Sequence, residues 1–109
     1  YRLAAIYDLL VKEVGTPRQI VASGGAVLRS PAWAQIITDV IGNQIIASAE
    51  TEASCRGAAL LALEALGVIP AIEDVESKAG PVYSPNRLRY ARHLAARERQ
   101  EQLYRVLFG

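Results

Sequence analysis

Two adjacent glycines between a β-type run and a helix are the residues of this chain best placed to do chemistry. Ile20-Val21-Ala22 leads into Ser23-Gly24-Gly25, and helical spacing follows. Glycine has no Cβ, so main-chain N–H groups at such a turn can come close to a phosphate or ribose. The positive end of the following helix adds to the attraction. The same layout also serves as a plain strand-to-helix connection. No Gly-Lys-Ser/Thr follows, which excludes a Walker A loop, and the Rossmann G-x-G-x-x-G spacing is missing.

Other reactive side chains offer less. Glu50 and Glu52 could form an acid–base pair, but they also suit the N-terminus of a helix, where the dipole favours carboxylates. Cys55 reads as a small core residue. His93 is the lone histidine, and no Cys/His cluster with zinc-ligand spacing exists. Trp33 falls on an apolar stripe and reads as core. Asp8 and Asp39 read as solvated helix positions, and Asp74 as part of a linker. Arg87, Arg89, Arg92, Arg97, Arg99 and Arg105 form the densest basic stretch. Glu98 and Glu101 dilute it and no aromatic platform interleaves it, so a solvated helix face is expected, not a nucleic-acid surface.

The elements that must position these residues are well marked. Leu3, Ile6, Tyr7, Leu10 and Val14 recur at helical spacing, and Gly15 with Pro17 ends that helix. Arg18–Ala22 predicts a short strand, apolar on both faces like a buried parallel strand. Ser30-Pro31 is a helix start, with Ser at the N-cap and Pro at the first helical position. Trp33, Ile36, Ile37, Val40 and Ile41 give that helix one apolar side, and Gly42 stops it. Gln44–Ala47 predicts a second strand. A helix from Thr51 to Leu66 is apolar nearly all round at its centre, which predicts burial on most sides. Residues 71–86 read as a linker. A last helix from about Pro85 to Phe108 has apolar ends and a polar middle, so it is expected to pack at both ends. The order α-β-α-β-α plus a long C-terminal helix implies an α/β fold with parallel strands and right-handed crossovers. Two strands are too few for a sheet that stands alone. Residues 1–70 and 71–109 are read as two segments of one domain.

Composition sets the frame. The chain has 109 residues and is 51% hydrophobic, enough for one packed domain or part of one. A net charge of +1 gives no steering field toward nucleic acid or membranes. A single cysteine points to a reducing, cytoplasmic setting. There is no methionine and residue 1 is Tyr, so a piece of a longer protein is expected. The oligomeric state is left open by the sequence, a homodimer included.

The wider pattern narrows the chemistry. Ala22-Ser23-Gly24-Gly25, then Arg29-Ser30-Pro31, Trp33, Gln35, Asp39 and Gly42, then Glu50, Glu52-Ala53-Ser54 and Gly57-Ala58-Ala59, resembles the C-terminal region of the FGGY carbohydrate kinases. These belong to the superfamily of actin-like, sugar kinase and heat-shock-chaperone ATPases. The resemblance runs over about Leu3–Val68. Ser54-Cys55 adds a leaning toward gluconate kinases.

The resemblance implies a partial ribonuclease-H-like domain that holds ATP, with Mg²⁺ arriving on the nucleotide. The sugar or sugar acid would be held mainly by an N-terminal domain, which also supplies the catalytic aspartate. The family's glycine turn carries over to Gly24 and Gly25, with Ala26 alongside. The position that commonly lies by the adenine ring corresponds to Arg29, whose planar guanidinium can stack on a base or bond it. Related kinases often have Asn or another polar residue there. Two rival readings remain: a nucleotide-switch ATPase of the same superfamily, and a non-enzymatic helical interaction module.

Overall fold

The computed structural model describes residues 1–109. Helix α1 (Arg2–Val14) leads to strand β1 (Val21–Ala22), the short helix α2 (Gly25–Arg29) and helix α3 (Pro31–Ile41). Strand β2 (Ile45–Ser48), helix α4 (Ala53–Ala65), a 3₁₀ turn (Ile72–Asp74), strand β3 (Ala79–Tyr83) and helix α5 (Arg87–Phe108) complete the chain. The sheet order is β1-β2-β3. β1 runs parallel to β2, with Val21 beside Ile46 and Ala22 beside Ala47. β3 runs antiparallel to β2, pairing Tyr83 with Ile45 and Val82 with Ile46.

Local sequence chemistry accounts for the boundaries. Ser30 Oγ accepts the Trp33 N–H at 3.2 Å and caps α3, with Pro31 at its first position. Gly42 closes α3 in the left-handed conformation (φ 76°) and its N–H bonds the Thr38 carbonyl. The Tyr90 ring covers this glycine so closely that a Cβ on it would lie 2.4 Å from a ring carbon. Gly42 therefore lets α5 sit against the end of α3 as well as turning the chain.

The third strand is a correction. Residues 71–86 were expected to be a linker, yet Ala79–Tyr83 pairs with β2. Ser48 opposes Ala79 and Ile46 opposes Val82, so Ala47 alone faces both Gly80 and Pro81. That is a bulge on an edge strand, which is where proline is tolerated in a sheet. A Cβ on Gly80 would stand 2.6 Å from the Ala47 carbonyl oxygen, so the close approach also requires glycine.

The core is small. Ala4, Val27, Ala34, Val40, Ile45 and Ala47 are its buried apolar residues, and Val27, Ala34 and Ala47 form its centre with Ala22, Ile37 and Tyr83 against it. Thr38 is fully buried and donates its hydroxyl to the Ala34 carbonyl at 2.8 Å.

Several expected burials are not made. Val21 is 56% exposed, while its neighbour Ala22, on the other face of the same strand, packs against the core. Helix α4 buries no residue, and its main neighbour within the chain is the 3₁₀ turn. Cys55 and Leu61 are exposed, and Trp33 is half exposed. The α1 stripe of Leu3, Ile6, Leu10 and Val14 is also open. An apolar pattern marks surface that favours cover, but the cover itself must come from another element.

Helix α5 departs from expectation in a different way. Its apolar C-terminal end, Leu103, Val106, Leu107 and Phe108, is exposed. Its N-terminal end packs on α3 as expected, and its polar middle adds contacts of its own: Arg97 pairs with Asp8 of α1, and the Tyr1 hydroxyl bonds His93 Nδ1 at 3.0 Å. The Arg2 guanidinium lies 4.9 Å from the Tyr104 ring centre. No helix is long and apolar enough to cross a membrane.

Candidate functional site

The paired glycines stand at the carboxyl end of β1, where ligands bind in open α/β sheets. Gly24 caps α2 with φ 107° and ψ 153°, a region essentially reserved for glycine. An ideal Cβ on Gly24 would meet no atom within 4 Å, so this side of the turn opens to solvent. The Gly24 carbonyl accepts the Leu28 N–H at 3.1 Å. The N–H groups ahead of Leu28, at Gly25, Ala26 and Val27, belong to the first turn and have no carbonyl one turn earlier in α2 to bond. Val27 is buried and fixes α2 to the core, while Ala26 is exposed on the outer side.

Arg29 is the last residue of α2, and its side chain turns back on the glycines. Nε donates to the Gly25 carbonyl at 3.1 Å. A Cβ on Gly25 would lie 2.7 Å from Nη2. The fold therefore brings Gly24, Gly25, Ala26 and Arg29 into one exposed patch. One correction applies to the local chain path. The helix that follows the turn is the five-residue α2, and the Ser30-capped α3 begins only after a break at Ser30. The helix that the glycines open is thus α2, not the longer α3.

Parallel pairing puts a second loop at the same end of the sheet, the one leading from β2 into α4. Glu50 in this loop is not a free acid. Its Oε1 accepts the Lys78 N–H at 3.3 Å and lies 3.4 Å from Arg56 Nε. Arg56 in turn donates to the Glu76 carbonyl at 2.7 Å. Glu50 so joins the start of α4 to the segment that enters β3. Glu52 precedes α4 without a side-chain cap bond. No three His, Cys, Asp or Glu side chains come together as a metal site.

Asp39 is the main correction among the charged residues. It was expected on a solvated face, yet it is 1% exposed. Oδ1 accepts the Asn86 N–H at 2.7 Å and Gln35 Nε2 at 2.9 Å, while Oδ2 pairs with Arg89. Gln35 also donates to the Ser84 carbonyl at 2.9 Å. Burial pushes the Asp39 carboxyl up. The Asn86 N–H, the Arg89 guanidinium and the Gln35 amide together outweigh it and hold the group below its ordinary value. This knot fastens α5 to α3. The signal for it was the Gln35–Asp39 spacing of one helical turn, but both partners from α5 are distant in sequence.

Two open grooves lie away from the glycines. One of about 800 Å³ runs between α1 and α5, and one of about 300 Å³ lies at the opposite end of the parallel strands, beside Tyr7, Arg18 and Asn43. At Gly24 the glycine patch is open, with no atom within 4 Å of an added Cβ.

Comparison with known proteins places this architecture. Residues 1–66 match the family model described as the FGGY family of carbohydrate kinases, C-terminal domain. Ribulokinase of Vibrio parahaemolyticus serotype O3:K6 (strain RIMD 2210633) is 32% identical over 110 residues, covering 94% of this chain and 19% of that protein. Gluconokinase of Bacillus subtilis (strain 168) is 28% identical over 83 residues, covering 76% of this chain and 16% of that protein. The crystal structure of ligand-bound xylulose kinase from Lactobacillus acidophilus superimposes with a TM-score of 0.72 at 19% identity, covering 96% of this chain and 22% of that one. That likeness shows the mixed α/β fold. The chain spans about a fifth of the length of these relatives.

Proposed function

The chain belongs to the FGGY family of carbohydrate kinases, as part of the C-terminal domain, and on that premise we propose that it forms one wall of an ATP site. In this reading it is a portion of a ribonuclease-H-like domain. The main-chain amides at Gly24, Gly25 and Ala26 face the nucleotide, and the Arg29 guanidinium stacks on the purine or bonds it. The γ-phosphate passes to a hydroxyl of a sugar or sugar acid. In the family that these residues resemble, an aspartate of the N-terminal domain accepts that hydroxyl proton. Mg²⁺ serves the reaction on the phosphates of ATP in this reading.

The observation that carries the reading is the open glycine wall. Gly24 adopts a conformation closed to other residues, and its free side looks into solvent at the carboxyl end of the parallel pair.

Magnitudes limit what this wall does alone. A helix terminus contributes about 0.3–1 kcal/mol to binding an anion at an exposed site. Micromolar affinity needs about 8 kcal/mol. The isolated 109 residues therefore hold ATP only weakly, and the rest of the site belongs to the full chain.

The experiment is a coupled phosphorylation assay of the full chain with ATP against gluconate, ribulose and xylulose. We expect ADP release that depends on one of these acceptors. Gluconate is favoured through Ser54-Cys55, although that pair lies exposed in α4. ATP hydrolysis with no acceptor dependence would support a nucleotide switch instead. No ATP binding at all would support an interaction module.

A further inference from the structure

The fold uses only some of the arginines of α5. Arg89 pairs with Asp39, Arg97 with Asp8 and Arg105 with Glu101. Arg92 and Arg99 are exposed and meet no carboxylate. They stand two helical turns apart and so share one side of the helix. Leu88, Arg92, Ala95, Arg99, Leu103 and Val106 follow at steps of three or four residues and form one stripe. The contacts with α1, made by His93, Arg97 and Tyr104, lie on the other side. Within the stripe Leu88 is 76% exposed, Leu103 61% and Val106 82%.

The stripe is positive and apolar at once. Glu98 and Glu101, which dilute the basic stretch along the sequence, fall toward α1: both line the groove there, and Glu101 holds Arg105. Tyr104 and Phe108 pack on each other at 5.0 Å and Tyr104 faces Arg2, so no aromatic platform for a base stands beside Arg92 and Arg99. Leu88, Leu103 and Val106 find no match on a phosphate backbone. An anionic membrane fits no better, because arginines interrupt the apolar side that would have to enter it. A second copy crossing at Ala95 would set arginine against arginine. The complementary surface is a helix with apolar residues at the same spacing and carboxylates opposite the two arginines. The small side chain of Ala95 lets such a helix come close at the centre, and each guanidinium can grip a carboxylate with two parallel N–H bonds.

We propose that this outer side of α5 is a docking surface for an acidic amphipathic helix of a partner protein. It uses none of the residues assigned to the nucleotide, so it stands or falls independently of that reading.

The test is fluorescence anisotropy of the full chain with a labelled helical peptide of about 20 residues, long enough to span the stripe. The peptide carries leucine along its seam and glutamate opposite Arg92 and Arg99. A second peptide has lysine for each glutamate. We expect saturable binding of the acidic peptide only, weakened at least about 10-fold by Arg92→Glu with Arg99→Glu, and weakened also by added salt. Leu103→Ser with Val106→Ser should weaken it to a similar degree. All four positions are exposed, so thermal unfolding of the variants should match that of the parent. No binding of the acidic peptide overturns the proposal, as does equal binding of both peptides. Self-association in sedimentation that the arginine variant abolishes assigns the face to a second copy. Tighter binding of duplex DNA than of peptide assigns it to nucleic acid. Either of these results also overturns the proposal.

Discussion

The Gly25→Trp substitution is expected to weaken ATP binding by at least about 100-fold, close to 2.7 kcal/mol, and to remove acceptor phosphorylation with it. The indole would stand where the nucleotide approaches the turn. The fold has little reason to change. Position 25 opens helix α2 without a positive φ, and the nearest atoms to a new Cβ belong to the end of the Arg29 side chain. That side chain is exposed and can swing away, so stability should stay within about 0.5 kcal/mol of the parent. Isothermal titration with ATP and thermal unfolding of the same preparation check both halves. Gly24 is the wrong place for this test. Any side chain there is strained by φ 107°, at a cost of about 1–3 kcal/mol, and a loss of binding would be mixed with a loss of fold.

The second large effect concerns Asp39. Asp39→Ala should destabilise the packing of α5 on α3 by about 2–4 kcal/mol. It strips partners from the Asn86 N–H and the Gln35 amide in a part-buried setting. The Arg89 side chain is 52% exposed and returns to water, which keeps the cost below that of two stranded charges. Hydrogen exchange should show the loss locally, as faster exchange of the amides at Asn86–Tyr90 with the sheet less affected.

The pH dependence follows from the sign of the shift. The folded Asp39 carboxyl titrates below its unfolded value, so its contribution is complete above about pH 4. It fades as pH falls through the depressed folded value. The gap in unfolding free energy between the parent and Asp39→Ala should therefore be constant near neutrality and narrow in acid. A gap that widened in acid would contradict the assignment of Asp39 as an ionised, paired carboxylate.

What the sequence made legible was local. Ser30-Pro31 announced the start of α3 and Gly42 its end, because capping needs only residues within one turn. The glycine turn after β1 was legible for the same reason. The third strand was not, since Gly80-Pro81 looks like a linker until Ala47 is known to face both residues across a bulge. Asp39 was misread because two of its three partners, the Asn86 N–H and the Arg89 guanidinium, come from the far end of the chain. Apolar residues of α1 and α4 announced a preference for burial, yet Leu10, Leu61 and Cys55 stay open because no element of these 109 residues covers them. The fold-back of Arg29 onto Gly25 was also out of reach. Spacing brought the two within one helical turn, but a rotamer decides whether they touch.

The central claim is that nucleotide lies against the glycine turn, and photolabelling with 8-azido-ATP tests it most directly. Trypsin cuts after Arg18 and Arg29, so the peptide of residues 19–29 isolates the turn and little else. Irradiation of the full chain should place label on this peptide, and excess ATP should remove it. Label that ATP displaces from other peptides while residues 19–29 stay unmodified would contradict the account.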